Sequence, residues 1–282
     1  MADHFDTILS DLKNNRESGA TSLALLTLSA LNDYLAEMPV QSADKIDSFC
    51  DALTAARPSM IALGNALKRW QQRLEVADID FKQQYLSQLV AVYQQLADAS
   101  EQVAEHAANL IKPGMTVLTH SRSSQVMALF EQALEQYRAF KVIVTVSAPG
   151  NEGLLVASQL NRLGIPVTLI TDAEMGLVMP DVDINISGCD SWLTDHHFVN
   201  KTGTLLQALA AQHFGKPFWV LADSFKNSPQ TSHEVVLEAM PVNELPLPED
   251  DDIAAKNVYF ETISTRLVTG RVDEHGLQVL QP

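Results

Sequence analysis

The stretch VLTHSRSSQV, residues 117–126, passes from an apolar run into His120, Ser121, Arg122, Ser123 and Ser124 before apolar residues resume. A short strand that ends in small polar residues and gives way to an amphipathic segment reads as the first half of a βαβ unit. The rhythm repeats downstream. The runs KVIVTV (141–146), PVTLI (166–170), DINIS (183–187) and FWVLAD (218–223) are separated by amphipathic segments at 124–138, 151–163 and 203–214. Strands alternating with helices of this length predict a doubly wound parallel sheet covered on both faces.

Upstream the period is helical. Leu86, Leu89, Val90, Tyr93, Leu96, Ala97, Val103, Ala104, Ala107, Leu110 and Ile111 trace one long amphipathic helix, stopped by Lys112-Pro113-Gly114. Shorter helices are expected at 4–15, 20–38, 45–56 and 58–74, with Gly19 and Arg57-Pro58 as punctuation. The expected organisation is therefore an all-helical domain over 1–112 and an α/β domain over 113–282. A Pro-rich acidic stretch, MPVNELPLPEDDD (240–252), reads as a surface loop before VYFETISTRLVTGRVDEHGL (258–277) returns to an apolar pattern.

Composition excludes several classes of function. Of the 282 residues 46% are apolar and mean hydropathy is −0.01, which suits a soluble globular chain. The formal charge of −16 repels nucleic acid and anionic membrane, so a polyanion site would have to be a local basic pocket. Neither free nucleic acid nor a membrane is an expected partner. The two cysteines, Cys50 and Cys189, are far apart in sequence, which excludes a disulfide scaffold and makes the cytoplasm the default compartment. No run approaches the roughly 18 consecutive apolar residues of a membrane helix.

In a doubly wound sheet, ligands bind beyond the carboxyl ends of the strands, so the residues that follow each strand carry the functional reading. After the first strand, Ser121, Ser123, Ser124 and Arg122 at a helix N-terminus combine hydroxyls, backbone N–H groups and a guanidinium; an anion site and an ordinary Ser N-cap are both compatible with them. SGCDSW (187–192) places Asp190 past its strand, where a turn-forming role is the alternative. VNKTGT (199–204) offers Asn200 and Lys201 ahead of a helix, and Lys226 follows FWVLAD. Together Arg122, Lys201 and Lys226 would give an acidic protein a basic pocket suited to a phosphorylated small molecule. Arg57, before Pro58, is expected at a helix N-terminus, with a solvated side chain as the alternative. Asp195-His196-His197 lacks the spacing of a metal site, and Gly150-Asn151-Glu152-Gly153 is not a dinucleotide-binding glycine motif. No cofactor is expected.

In order and spacing, these segments resemble the family of the alpha, beta and delta subunits of eukaryotic translation initiation factor 2B, ribose-1,5-bisphosphate isomerase and 5-methylthioribose-1-phosphate isomerase. The likeness runs from NRESGATSLAL through ARPSMIALGNAL, VLTHSRSS, GLLVASQLNRLGIPVTLITDAEMGLVM, ISGCD, VNKTGT and PFWVLADSFK to YFETISTRLVTGRVDEHG. It implies an N-terminal helical domain, a C-terminal Rossmann-like domain, and assembly through the latter into a homodimer or higher homo-oligomer. The resemblance puts the isomerases' catalytic pair at Ser121 and Asp190. It puts ligands of a sugar phosphate at Gly19, Ala20, Arg57, the segment Ser123 to Gln125, Asn200, Lys201 and Lys226.

Departures are visible too. Ser18 and Ala148 stand where the isomerases carry arginine, Cys189 replaces an alanine, and Ser121 replaces the catalytic cysteine. A hydroxyl is far less acidic than a thiol, so Ser121 alone is a poor proton carrier near neutral pH. The expectation is a protein that binds a phosphorylated sugar or nucleotide: an aldose-1-phosphate to ketose-phosphate isomerase of altered substrate range, or a non-catalytic subunit like those of the initiation factor.

Overall fold

The computed structural model describes residues 2–15, 18–58, 60–74, 81–248 and 253–280. Helices α1 (Ala2–Asn14), α2 (Ala20–Glu37), α3 (Ala43–Ala56), α4 (Ile61–Gln71) and α5 (Phe81–Ala108) come first. Then follow β1 (Thr116–Thr119), α6 (Ser124–Glu135), β2 (Lys141–Thr145), α7 (Glu152–Arg162), β3 (Val167–Ile170), α8 (Met175–Val178), β4 (Ile184–Ser187), β5 (Ser191–Trp192), β6 (His197–Lys201), α9 (Thr204–His213) and β7 (Phe218–Leu221). The chain closes with β8 (Phe260–Ser264), β9 (Gly270–Asp273) and β10 (Gly276–Val279). The expected runs at 116–120, 141–146, 166–170, 183–187 and 218–223 are β1, β2, β3, β4 and β7.

The expected doubly wound, mostly parallel sheet is present, with an edge strand and a second sheet that the expectation did not include. The main sheet, in the order β10-β9-β7-β4-β1-β2-β3, is parallel except for its last strand, β10, which pairs antiparallel with β9. A second sheet, β5-β6-β8, is wholly antiparallel and draws β8 from beyond the acidic loop. The helix start expected at Pro58 is corrected: Arg57 is the C-cap of α3 and α4 begins at Ile61. The acidic loop carries a short 3-10 turn at Val242–Glu244 and an Ala239–Val258 bridge; its residues 249–252 lie outside the described ones.

Alternate residues of the central strands enter different cores, as two-sided burial requires. Val117, Val142, Val144, Ile184, Ile186 and Trp219 pack with α6, α7 and the end of α5. Leu118, Ile143, Phe218 and Val220 pack with Ala208 and Ala211 of α9 and with Phe198 and Ile263 of the second sheet. Helix α5 joins the two halves: Tyr85, Leu89, Val92 and Leu96 belong to the helical core, whereas Val103, Ala104, Ala107 and Ala108 belong to the sheet's. A second tie runs the other way. Phe225, just after β7, is buried in the helical core, and Asn65 of α4 donates to the carbonyls of Phe225 (2.6 Å) and Asn227 (2.8 Å). Helices and sheet thus fix the loop after β7 jointly.

Candidate functional site

The strand order reverses between β1 and β4. β2 and β3 continue to one side of β1, and β4, β7 and β9 to the other. The loops leaving β1 and β4 cannot cross above this gap, so it opens into a crevice. The cavity there is lined by Gly19, Ala20, Arg57, Ser121, Arg122, Ser123, Ser124, Asp190, Asn200, Lys201 and Lys226. Of the catalytic and ligand positions expected from the sequence, Gln125 alone is not in the lining. It is fully buried one layer behind, where its amide donates to Asp223 Oδ2 (2.7 Å) and its carbonyl accepts from Lys226 Nζ (2.8 Å). It sits on the inner face of α6, turned towards the loop after β7.

Two helix N-termini meet at this cavity. Gly19 is the N-cap of α2 and Ser123 that of α6; a Cβ on Gly19 would lie 3.3 Å from the Ser124 nitrogen. Converging N–H groups and dipoles of this kind favour an anion. The cap reading is also realised, since Ser123 Oγ accepts from the Val126 N–H at 3.4 Å. Beside them Thr21 is 2% exposed and its Oγ1 has no hydrogen-bond partner among the described residues. A buried hydroxyl left so on a cavity wall is costly unless something in the cavity engages it.

The cations are held from behind. Lys226 is 3% exposed, and its bond to Gln125 uses one of its three donors. Arg57 is not at a helix N-terminus. Its guanidinium donates to the carbonyls of Leu12 (3.4 Å) and Asn15 (3.0 Å) at the end of α1, the favourable place for a cation, and its side chain lines the cavity. Lys201, the last residue of β6, pairs with Glu152 (3.0 Å to Oε1) and lies 3.6 Å from the centre of the Tyr259 ring. Asn200 donates to Ser187 Oγ (2.8 Å) and Thr204 Oγ1 (2.9 Å), and those hydroxyls donate onward to carbonyls. Both amide hydrogens are therefore spent, and Asn200 can only accept from the cavity.

Asp190 and Ser121 stand on opposite sides of the switch point. Burial pushes the Asp190 carboxyl up to about 6, against the pull of Lys226, Arg57 and Lys201. This carboxyl can give or take a proton near neutral pH. Ser121 has a left-handed backbone, φ 65°, held by its N–H donating to Ser147 Oγ (2.9 Å). Its own hydroxyl donates to Glu152 Oε1 at 2.7 Å. Cys189 also reaches the wall, but burial pushes its thiol up to about 12, so it stays protonated near neutral pH. His120, buried next to Ser121, is held near Thr145 Oγ1 (2.6 Å) and the Thr202 carbonyl (2.9 Å), and burial lowers its pKa. The carbonyl can only accept, so the neutral ring carries its proton on Nε2.

Besides Thr21, sequence reasoning missed Glu152. It opens α7, the helix after β2, so the strand-end rule applied to β2 would have found it; testing Gly150–Gly153 only as a glycine motif passed over it. The Asp195–His197 segment bonds within its own loop and to Ser232, and among the described residues no three His, Cys, Asp or Glu side chains group as metal ligands. No helix among those residues is long and apolar enough to cross a membrane.

These features define a two-part protein, helices followed by a doubly wound sheet, with a cavity at the switch point that combines cations, helix N-termini and a carboxyl of raised pKa. Comparison with known proteins makes the assignment particular: the profile of the Initiation factor 2 subunit family matches residues 16–278, and the chain belongs to that family. A protein of Pyrococcus abyssi named as eIF-2B subunit 2-like is 32% identical, over 99% of this chain and 98% of its own. The ribose 1,5-bisphosphate isomerase of Haloferax volcanii is 29% identical, over 92% of this chain and 83% of its own. The crystal structure of a translation initiation factor eIF-2B from Pyrococcus horikoshii superposes with a TM-score of 0.86 at 30% identity, covering 98% of this chain and 96% of that one.

Proposed function

We propose that the protein binds a phosphorylated sugar in this cavity and isomerises it, converting an aldose 1-phosphate to a ketose phosphate. The observation that carries the reading is Asp190, a carboxyl raised to about 6 and set among Lys226, Arg57 and Lys201. A pocket that only bound phosphate would have no use for a half-buried acid that weakens its positive field. In this reading the N-termini of α2 and α6, with Gly19, Ala20, Arg122, Ser123 and Ser124, hold phosphate together with Arg57, Lys201 and Lys226. The Thr21 hydroxyl completes the cradle, and Asn200 accepts from a sugar hydroxyl. Gln125 is a positioning residue that aims Lys226. Asp190 exchanges protons with the substrate, and Ser121 holds the reacting hydroxyl.

A second reading keeps the binding and drops the turnover, as in a regulatory subunit that binds a phosphosugar or nucleotide. It is favoured by Ser121 and by the eIF-2B name of the 32% identical relative. Phosphorus NMR of ribose 1,5-bisphosphate incubated with the protein separates the two: new ketose-phosphate resonances are expected, and unchanged spectra at saturating protein would leave the second reading. Either requires Lys226. Lys226→Ala should weaken binding about 10- to 100-fold in calorimetry, as expected for a lost charge-assisted hydrogen bond; unchanged affinity would remove Lys226 from the site.

A further inference from the structure

We propose that Glu152 is the proton acceptor for Ser121, so that a serine–glutamate relay does the work of a single acidic side chain. The inference rests on the isomerase reading above and extends it to a residue that reading leaves without a role.

The Ser121 hydroxyl already donates to Glu152 Oε1 at 2.7 Å, the distance of a strong O–H···O bond. Its proton is therefore directed at Glu152 and its oxygen lone pairs are left to accept. A hydroxyl arranged so need not be acidic, because it takes one proton as it passes another to the carboxylate. Lys201 fixes the same carboxylate, 3.0 Å from Oε1 and 3.3 Å from Oε2, so Oε1 is shared between the lysine and Ser121. Position is enforced by the backbone. Gly153 packs so closely on β2 that a Cβ would fall 1.8 Å from the Thr145 carbonyl oxygen, and a Cβ on Gly150 would lie 2.6 Å from Glu152 Oε2. The start of α7 is pinned against the sheet with its carboxylate in the cavity wall. Ser121 is held from its own side by the left-handed turn and the Ser147 bond. A purely structural Lys201–Glu152 pair would require none of this geometry at Ser121.

The proton balance calls for two groups. Converting a cyclic aldose 1-phosphate to a ketose phosphate breaks the bond between C1 and the ring oxygen, which gains a proton. Hydrogen moves from C2 to the electron-deficient C1 with its bonding electron pair, and the 2-hydroxyl loses its proton as the C2 carbonyl forms. One proton enters and one leaves, with no net oxidation. Asp190, raised to about 6, supplies the first; Ser121 takes the second and hands its own to Glu152.

The test uses the full chain, ribose 1,5-bisphosphate as the probe, and both turnover and calorimetric affinity. Glu152→Gln keeps an oxygen for Ser121 but cannot accept the proton; its turnover should fall about 10²- to 10⁴-fold while affinity changes less than about tenfold. Ser121→Ala should lose a comparable factor, and the double variant should be no worse than either single one, as for groups acting in one chain. Adding Ser121→Cys to Glu152→Gln should recover at least about tenfold of turnover, since a thiol carries a proton itself; loss of a structural ion pair would not be repaired that way. Glu152→Asp, which keeps the charge for Lys201 on a shorter arm, serves if the glutamine variant does not fold, and it should fall between parent and Ser121→Ala. Parent-like turnover in Glu152→Gln or Glu152→Asp would overturn the relay and leave the isomerase standing. A parent that binds the probe without converting it would overturn both.

Discussion

Asp190 concentrates the cost and the use of this site in one side chain. Its folded pKa of about 6 lies above the ordinary 3.8, so the native state holds a proton that the unfolded state has released. Stability must then fall as the pH rises from about 4 to about 6, and the full cost is present above that window. Asp190→Asn keeps the size and removes the charge, so it is expected to stabilise the unliganded protein at pH 7.5 by up to about 3 kcal/mol. The gain should shrink as the pH approaches 4. Calorimetric melting of parent and variant at pH 7.5 and 4.5 checks this, and a variant less stable than the parent at pH 7.5 would mean that Lys226 and Arg57 repay the burial. The same substitution should abolish isomerisation, the familiar opposition of stability and activity at an active site.

At the scale of elements, the site is a set of strand ends brought together by winding order. Ser121 follows β1, Glu152 follows β2, Asp190 follows β4 and Lys226 follows β7, while Lys201 ends β6 of the second sheet. Ser121, Asp190 and Lys226 are legible because short apolar runs alternating with amphipathic segments imply the parallel sheet, and the parallel sheet implies where its loops gather; Glu152 obeys the same rule but is passed over inside Gly150–Gly153. Less legible was whatever depends on distant pairing. β5 has only two residues and β8 reaches β6 across the acidic loop, so no local period announces the sheet that ends in Lys201. Arg57 lines the cavity, but the carbonyls at the end of α1 hold it there and not the helix N-terminus that Arg57-Pro58 suggests. Gln125 carried the family's pattern, yet only packing shows that it faces Lys226 from behind. The junction of β2 and α7 is open to a direct test. Gly153→Ala cannot be accommodated without moving α7 off the Thr145 carbonyl, so it should cost about 1–3 kcal/mol in denaturant unfolding, or more. Its counterpart, Gly176→Ala in α8, meets nothing within 4 Å and should be neutral or stabilising by about 0.4–1 kcal/mol. Equal effects of the two would show that α7 has slack at the site.

The surface of the whole molecule is uneven in a way that the −16 charge does not suggest. A doubly wound sheet should bury both faces, yet β3, at one edge, leaves Thr168 and Leu169 exposed. Around the same half of the chain, Leu177 of α8 is 74% exposed, Leu206 and Leu209 of α9 are 57% and 45% exposed, and Phe214 at the end of α9 is 41% exposed. Scattered apolar residues are normal on a monomer, but α8 packs on α9, so three of these leucines share one region. We propose that a second copy of the chain covers this face. Like charges on two acidic protomers oppose the contact at long range, but the Debye length of about 8 Å at physiological ionic strength leaves a short-range apolar surface free to associate. Added salt should therefore strengthen the dimer or leave it unchanged. The prediction is a particle of about twice 30.9 kDa in multi-angle light scattering at micromolar concentration. Leu177→Glu with Leu206→Glu should convert it to monomer without loss of helical circular dichroism, because neither side chain is part of a core. A parent that elutes as a stable monomer, or a double variant that remains dimeric, would place the contact elsewhere or remove it. The cavity lies at the carboxyl ends of the strands, and its lining shares no residue with this face. The monomeric variant should accordingly retain affinity for a sugar phosphate, which separates assembly from binding in one measurement.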